Sequence, residues 1–334
     1  MKRTLMVGIL VMGFLLVFPF FYYSKFLVDY LTQILISALF AASLNLLVGY
    51  TGMVSFGHAG FFGVGAYAVG VMLQKYSTSL VGSLLFAVIL SAVVAMVIGF
   101  FCIRLGEIYF AMLTMAFAQI IYTIVVKWTP MTGGDQGLIG GIPKPPIAFF
   151  GLSFDIGTSL NFYLFTVILV IGSFILLKLI VDSPFGAILK TIRDNSLRSY
   201  FIGIPVKLYQ WIIFVIAGTF GGLSGALMAL FISGAYPDFT YWTKSAEPIF
   251  MILVGGMGSL LGPVIGAVIF NLLSAYITIY THLYELVMGI ILVVFILSLK
   301  KGLTDFLFES ESFKKLIPQR LQRALAPEDG GKTS

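Results

Sequence analysis

The chain has 334 residues, of which 59% are hydrophobic and 10% are charged, and its formal net charge is +6. A water-soluble fold of this length could not bury so much apolar surface, so the composition excludes a soluble globular protein. The positive charge does not indicate nucleic acid binding, because the basic residues lie between apolar runs and in the tail. The composition therefore predicts a protein embedded mostly in lipid.

Apolar runs long enough to cross a bilayer follow one another along the chain. The predicted crossings are 4–23, 27–48, 58–74, 79–102, 107–127, 160–181, 209–232 and 283–299. A further apolar region, 246–281, contains several glycines and Pro263, which weaken or interrupt helices. The sequence thus predicts an all-α polytopic membrane protein with about nine or ten transmembrane segments, some of them broken at glycines.

The distribution of basic residues predicts the orientation of the chain. Fifteen Lys and Arg residues fall on one side of the predicted crossings and five on the other, which together are the 20 that the chain contains. The richer side holds the N-terminus, the 182–208 loop and the tail, so these are predicted to be cytoplasmic. We expect a transmembrane domain over 1–308, an outer loop over 128–159 and a cytoplasmic C-terminal tail over 309–334.

The segment 45–67 places glycines and polar side chains in a stretch that could otherwise cross the bilayer. Small residues let helices approach closely and also let a helix bend or break, so tight packing and a moving pore lining both remain open. His58 is either a proton relay or a side chain that is hydrogen-bonded to the backbone. The candidate pathway residues here and in the later glycine-rich stretch are Gly52, Ser55, Gly57, His58, Tyr67, Gly255, Gly256 and Gly258.

Two segments between the crossings carry patterns of their own. In 182–208, a short amphipathic helix is predicted to start at Pro184, and it either lies on the membrane surface or fits a groove of a partner. Its predicted apolar stripe is Ile188, Leu189, Ile192 and Leu197, opposite Lys190, Arg193 and Arg198. The 128–159 loop is either a connector or a functional segment that docks a partner or covers the outer mouth of the pathway. Its candidate residues are Thr132, Gly133, Gly134 and Gly137.

Acidic residues do not form a pattern that predicts catalysis. Asp29, Glu107, Glu247 and Glu285 fall near predicted helix ends, where solvation of a charge is cheap, so we interpret them as edge residues. No pair of carboxylates and no serine, histidine and acid arrangement is spaced for a catalytic or metal site.

Several of these segments resemble the permease family that serves branched-chain amino acid ABC importers. The family signature is similar to 49–67, GYTGMVSFGHAGFFGVGAY, and its late glycine-rich stretch is similar to 255–266, GGMGSLLGPVIG. The run TGGDQGL at 132–138 resembles the larger, M-type permease of the high-affinity leucine, isoleucine and valine uptake system more than its H-type partner. The resemblance covers about residues 30–303 and implies the multi-helix fold of the larger ABC importer class.

The 182–208 loop resembles the cytoplasmic coupling segment of the same family, through SPFGAILKTIRDN at 183–195 and GIPV at 203–206. After Asn195 the chain departs from the family, which usually has a small, alanine-rich stretch with an acidic residue there. The resemblance implies that this segment contacts an ATPase. The residues carried over for that contact are Ser183, Pro184, Phe185, Gly186, Arg193 and Gly203.

The resemblance implies a permease subunit that translocates leucine, isoleucine and valine delivered by an extracytoplasmic binding protein. It also implies an H-type permease partner, two ATP-binding subunits and a bacterial cytoplasmic (inner) membrane. ATP and Mg would bind the partner subunits, so this chain would hold no cofactor, perform no chemistry and bind no nucleic acid. The alternatives are a permease for urea or another small amide or amino acid, and a stand-alone secondary transporter.

Overall fold

The computed structural model describes residues 24–149, 152–280, 286–291 and 293, and most of them are helical. The helices with their bounds are α1 (Lys25–Thr51), α2 (His58–Lys75), α3 (Leu80–Cys102), α4 (Glu107–Lys127), α5 (Thr129–Thr132), α6 (Ser159–Val181), α7 (Pro184–Asp194), α8 (Ser196–Phe201), α9 (Val206–Ile232), α10 (Ala246–Gly255) and α11 (Leu261–Tyr280). Strands β1 (Ile147–Phe149) and β2 (Leu152–Phe154) form one antiparallel hairpin in the 128–159 loop. The predicted all-α membrane fold is confirmed.

Six helices in the described part of the chain are long and apolar enough to cross a membrane, judged by length and composition. They are α1, α3, α4, α6, α9 and α11. The shorter α2 fills the predicted crossing 58–74, and the apolar region 246–281 is divided into α10 and α11, as its glycines predict. The predicted crossing 4–23 and the tail 309–334 lie outside the described residues, as does most of 283–299, so the count of nine or ten stays a prediction.

Helices α1 and α9 form the centre of the bundle. In the most apolar part of each, 78% and 61% of the residues are buried, whereas α3, α4, α6 and α11 are buried over a third or less. The outer four helices expose apolar side chains such as Leu85, Met112 and Leu176, which is expected where the solvent is lipid. Most residues of α2 are buried as well, because α2 packs between α3, α4 and α9.

Glycines set the close approach of α2, α3 and α9. A side chain at Gly225 would overlap the carbonyl oxygen of Phe62, and one at Gly65 would overlap the carbonyl oxygen of Gly222. Ser91 of α3 occupies the space beside Gly222. Packing between helices in lipid depends on such contacts, because lipid provides no hydrophobic drive for association. These glycines of α9 are therefore packing residues.

Candidate translocation site

The chain is irregular between α1 and α2. Gly52 ends α1 in the left-handed region with φ of 74°, and α2 begins only at His58. The His58 ring lies against Gly221, which is 15 residues from the first residue of α9 and 11 from its last. At 1.5 Å per residue these spacings are about 22 and 16 Å, so α2 begins at mid-depth in the bundle. Irregular backbone at that depth is tolerated where protein or a water-lined cavity satisfies it.

His58 is fully buried at the first turn of α2. Its Nε2 lies 2.8 Å from the hydroxyl of Ser43, which is also 2.7 Å from the carbonyl oxygen of Phe40. Because a hydroxyl has one proton, Nε2 donates to Ser43 whenever Ser43 donates to Phe40. The ring stacks on Phe40, with the ring centroids 5.4 Å apart, and meets the edge of Phe61. This geometry packs His58 tightly against α1 and α9, and the partner of Nε2 is a side-chain hydroxyl and not a backbone group.

The other candidate residues of this segment are also largely enclosed. Ser55 and Tyr67 are buried, and neither hydroxyl has a hydrogen-bond partner within the described residues. Gly57 packs on the backbone of Thr114 in α4, where a side chain would overlap the Thr114 carbonyl oxygen. Residues Val54 and Phe56, which alternate with Ser55, are exposed on the other face of the same stretch.

A second break separates α10 from α11 and packs on the same helix as the first. Gly255 ends α10, Gly256 follows with φ of 110°, and both are packed against backbone at the start of α11, while Gly258 is exposed. The Asn45 side chain of α1 donates to the carbonyl oxygen of Ser259, with a nitrogen to oxygen distance of 3.2 Å. The sequence-predicted glycines therefore form two separate breaks near the end of α1.

The starting points of α2 and α10 meet inside the bundle. The backbone N–H of Ala59 donates to the Ser245 hydroxyl over 2.9 Å. Helix α10 therefore begins at the mid-depth level of His58 and runs toward the end of α1. Glu247 in its first turn pairs with Lys244, with Nζ to Oε distances of 2.7 and 2.8 Å. The interpretation of Glu247 as an edge residue is wrong, because this helix starts within the bundle.

An open groove of about 520 Å³ lies between the first break and α4. Its lining residues are Gly52, Val54, Phe56, Ile108, Ala111, Met112 and Met115. Of the eight candidate pathway residues, only Gly52 lines this groove; Ser55 and His58 are buried, and Tyr67 lies further along α2. The α4 residues of the groove were missed by sequence reasoning, because an apolar helix carries no signal of which face is covered.

The candidate residues of the 128–159 loop form its tight turns. The Thr132 hydroxyl is buried 2.6 Å from the carbonyl oxygen of Val125. Gly133, Gly134 and Gly137 all have positive φ, between 66° and 79°, which favours glycine. A side chain at Gly137 would also overlap the carbonyl oxygen of Ala235.

Hydrogen bonds hold this loop over the ends of α2 and α9. Leu138 donates its N–H to the Ala235 carbonyl over 2.8 Å, and the Gln74 side chain donates to the Ile139 carbonyl over 2.9 Å. Lys75 at the end of α2 donates to the Pro130 carbonyl. The loop is thus an ordered cover on the end of the bundle opposite α7.

The predicted amphipathic helix in 182–208 is α7, and it begins at Pro184. The Ser183 hydroxyl accepts from the Gly186 N–H as an N-cap, and Phe185 stacks on Tyr209 with centroids 5.3 Å apart. Gly186 has no room for a side chain beside the Val181 carbonyl, and Gly203 has a φ of 87°. These residues fix the fold of the segment.

The inner face of α7 packs on the end of α1. Leu189 and Ile192 are buried, and Arg193 donates to the carbonyl oxygen of Gly49. Burial lowers the pKa of the Lys190 ammonium, which lies 5.9 Å from the Tyr50 ring centroid. The prediction that Leu197 continues the apolar stripe is wrong, since Leu197 is 65% exposed.

The family comparison matches most of the chain. The family described as branched-chain amino acid transport system, permease component, matches residues 26–299, a range that contains both breaks, the groove and α7. The chain belongs to this family. It is 26% identical over 287 residues to the high-affinity branched-chain amino acid transport system permease protein LivM of Escherichia coli (strain K12), covering 80% of this chain and 67% of that protein.

Other relatives give the same picture. LivM of Salmonella typhimurium is 27% identical over 268 residues, and the chain spans 63% of its length. A probable branched-chain amino acid transport permease protein LivM of Methanocaldococcus jannaschii is 25% identical, with 74% of this chain and 80% of that protein covered. No solved structure matches the chain.

Proposed function

We propose that this chain is the membrane permease subunit of an ATP-binding-cassette importer that translocates leucine, isoleucine and valine. The observation that carries the proposal is the family match over 26–299, which covers both mid-depth breaks and the groove beside them. The names of the relatives supply the substrate class. An apolar groove suits an aliphatic side chain, because its walls gain from covering apolar surface.

The proposed partners are a second, H-type permease, two ATP-binding subunits and an extracytoplasmic substrate-binding protein. ATP and Mg bind the ATP-binding subunits in this proposal, and the present chain performs no hydrolysis. The chain spans the bacterial cytoplasmic (inner) membrane, with its termini and α7 on the cytoplasmic side and the 128–159 loop outside. The support for this orientation is the excess of Lys and Arg in the segments at the α7 end.

In the proposed mechanism the chain couples movement at its cytoplasmic face to the pathway. An ATPase contacts the outer side of α7, and α7 contacts the end of α1 through Leu189, Ile192 and Arg193. The first break follows that end of α1 and the second packs on it, so a shift of α7 changes the environment of both. ATP binding can bias the inward- and outward-facing states only through such contacts that differ between them.

Reconstitution tests the proposal. The chain is purified with its co-expressed partners, placed in proteoliposomes and supplied with binding protein and radiolabelled leucine. We expect uptake that requires ATP and is competed by isoleucine and valine but not by urea. Competition by urea alone would support the urea permease. Leucine uptake by the isolated chain without ATP, driven by an ion gradient, would support a secondary transporter and contradict the proposal.

A further inference from the structure

One face of α4 is exposed along its whole length and changes in polarity. Met112, Ala116, Gln119 and Thr123 are all exposed, and their spacing of three or four residues places them on one side of the helix. Met112 also lines the groove, and Gln119 lies about two helical turns further along the same face of α4. Only 22% of the apolar part of α4 is buried, the lowest fraction among the six candidate spans of the described residues.

Gln119 is a polar residue in the middle of this span. It lies between Glu107 and Lys127, the two ends of α4, at positions 12 and 8 residues away. Its side-chain amide makes no hydrogen bond within the described part of the chain, although it has two donors and an acceptor to satisfy. Hydrocarbon cannot satisfy them, and polar side chains at this depth face protein or a water-filled cavity.

The segment just before the Lys244–Glu247 pair packs on α4 close to Gln119. The Tyr241 ring stands 5.0 Å from the ring of Tyr122, which is one helical turn beyond Gln119. The two charged side chains are 21% and 33% exposed, so they are neither sealed in protein nor freely hydrated. An ion pair at mid-depth requires polar surroundings, because moving charges into hydrocarbon is costly.

We propose that Gln119 and the Lys244–Glu247 pair form the part of the translocation pathway that binds the zwitterionic backbone of the amino acid. The carboxylate of the substrate lies toward Lys244 and its ammonium toward Glu247, while the Gln119 amide both donates and accepts. The aliphatic side chain enters the groove beside Phe56 and Met112. This inference rests on the proposed function, and it gives the pathway a polar wall beside an apolar one.

Thiol labelling tests whether this face is hydrated. In the assembled complex, the native Cys102 is changed to Ser and a single cysteine is introduced as Gln119→Cys or, as the control, Ile120→Cys. Ile120 has the same depth and is 52% exposed, but it lies on a different face of α4. Because only a hydrated thiol ionises and reacts, we expect a water-soluble methanethiosulfonate to label Gln119→Cys at least about tenfold faster than Ile120→Cys. Equal, slow labelling would overturn the proposal and indicate lipid or a partner helix on this face.

Protection tests whether the zwitterion is recognised. Saturating leucine is expected to slow labelling of Gln119→Cys, whereas 3-methylbutylamine, which lacks the carboxylate, and 4-methylpentanoate, which lacks the ammonium, are not. Adding Lys244→Met or Glu247→Gln should remove the protection by leucine. Rapid labelling that leucine does not slow, or that both analogues slow equally, would overturn the zwitterion contact.

Uptake by the same proteoliposomes separates this inference from the proposed function. ATP-driven leucine uptake with an unreactive Gln119→Cys would reject the polar wall and leave the importer intact. Rapid labelling in a complex that takes up no branched-chain amino acid, with the Cys102→Ser parent equally inactive, would reject both the proposed substrate and the zwitterion contact.

Discussion

The guanidinium of Arg193 in α7 donates a hydrogen bond to the carbonyl oxygen of Gly49, in the last turn of α1. The last four carbonyl groups of a helix lack intrahelical partners, and a cation at this end also favours the helix dipole. One turn earlier, Asn45 binds the Ser259 carbonyl in the break between α10 and α11. The end of α1 therefore links α7 to the second break.

Removing the Arg193 contact is expected to weaken coupling. A hydrogen bond from a charged donor contributes about 1.5–3 kcal/mol. The lower value applies to Arg193, because its side chain is exposed and water competes for the bond. Arg193→Met should therefore reduce ATP-driven leucine uptake up to about tenfold. ATP hydrolysis by the assembled complex should persist. Arg193→Lys should retain part of the uptake, because lysine keeps the charge and a donor. Both activities are measured in the same proteoliposomes.

Arg198 of α8 provides the matched control for this variant. It is exposed and basic but lies beyond the end of α7. Arg198→Met should leave the ratio of leucine transported to ATP hydrolysed near that of the parent. An equal loss in both variants would attribute the effect to general charge on this face rather than to the contact with Gly49.

Gly225 is expected to tolerate no side chain. In Gly225→Ala the new methyl group would overlap the Phe62 carbonyl oxygen, so α2 and α9 must separate. Overpacking of this kind costs about 1–3 kcal/mol. Gly172 in α6 has open space beside it, and Gly172→Ala should be neutral or slightly stabilising. Thermal unfolding of the purified complex in detergent compares the two, and equal midpoints would contradict the packing role of Gly225.

The helices themselves could be predicted from the sequence, because apolar length is a local property of the chain. The predicted crossing 107–127 has the bounds of α4, and 79–102 differs from α3 by one residue. The contacts of the site could not be predicted in this way. Two hydrogen bonds join residues on different helices, Ser43 with His58 and Gly49 with Arg193. A periodic pattern within one helix does not predict such pairs.

The error at Leu197 has a local physical cause. Asn195 has extended backbone angles, φ of −161° and ψ of 98°, and its side chain caps the start of α8. Helix α7 therefore ends at Asp194, and α8 starts again with a new direction. Counting 3.6 residues per turn across this cap no longer predicts which residues share a face, because the helix is interrupted. Of the predicted stripe, Leu189 and Ile192 are buried.

The hydrogen bond between Ser43 and His58 is expected to stabilise the bundle. Ser43→Ala leaves the fully buried Nε2 without its partner, which costs about 1–3 kcal/mol. Ser173 of α6 is the control, since its hydroxyl donates only to the Leu169 carbonyl of its own helix. Ser173→Ala should lower the unfolding midpoint much less. If Ser43→Ala and Ser173→Ala behave alike, the His58 contact contributes no net stability.

The 128–159 loop is expected to act in docking of the binding protein, because hydrogen bonds hold its turns over the ends of α2 and α9. In Gly137→Ala a methyl group would overlap the Ala235 carbonyl at a residue whose φ is 74°, so the loop must shift away from the end of α9. Gly106, between α3 and α4, has no atom within 4 Å of an added methyl group and no positive φ, so Gly106→Ala is the control.

We expect Gly137→Ala to weaken binding of the substrate-binding protein by about tenfold, because a displaced loop would lose contacts of about 1.4 kcal/mol. Surface plasmon resonance on the complex in nanodiscs measures this affinity, and an unchanged affinity together with unchanged uptake would reduce the loop to a connector.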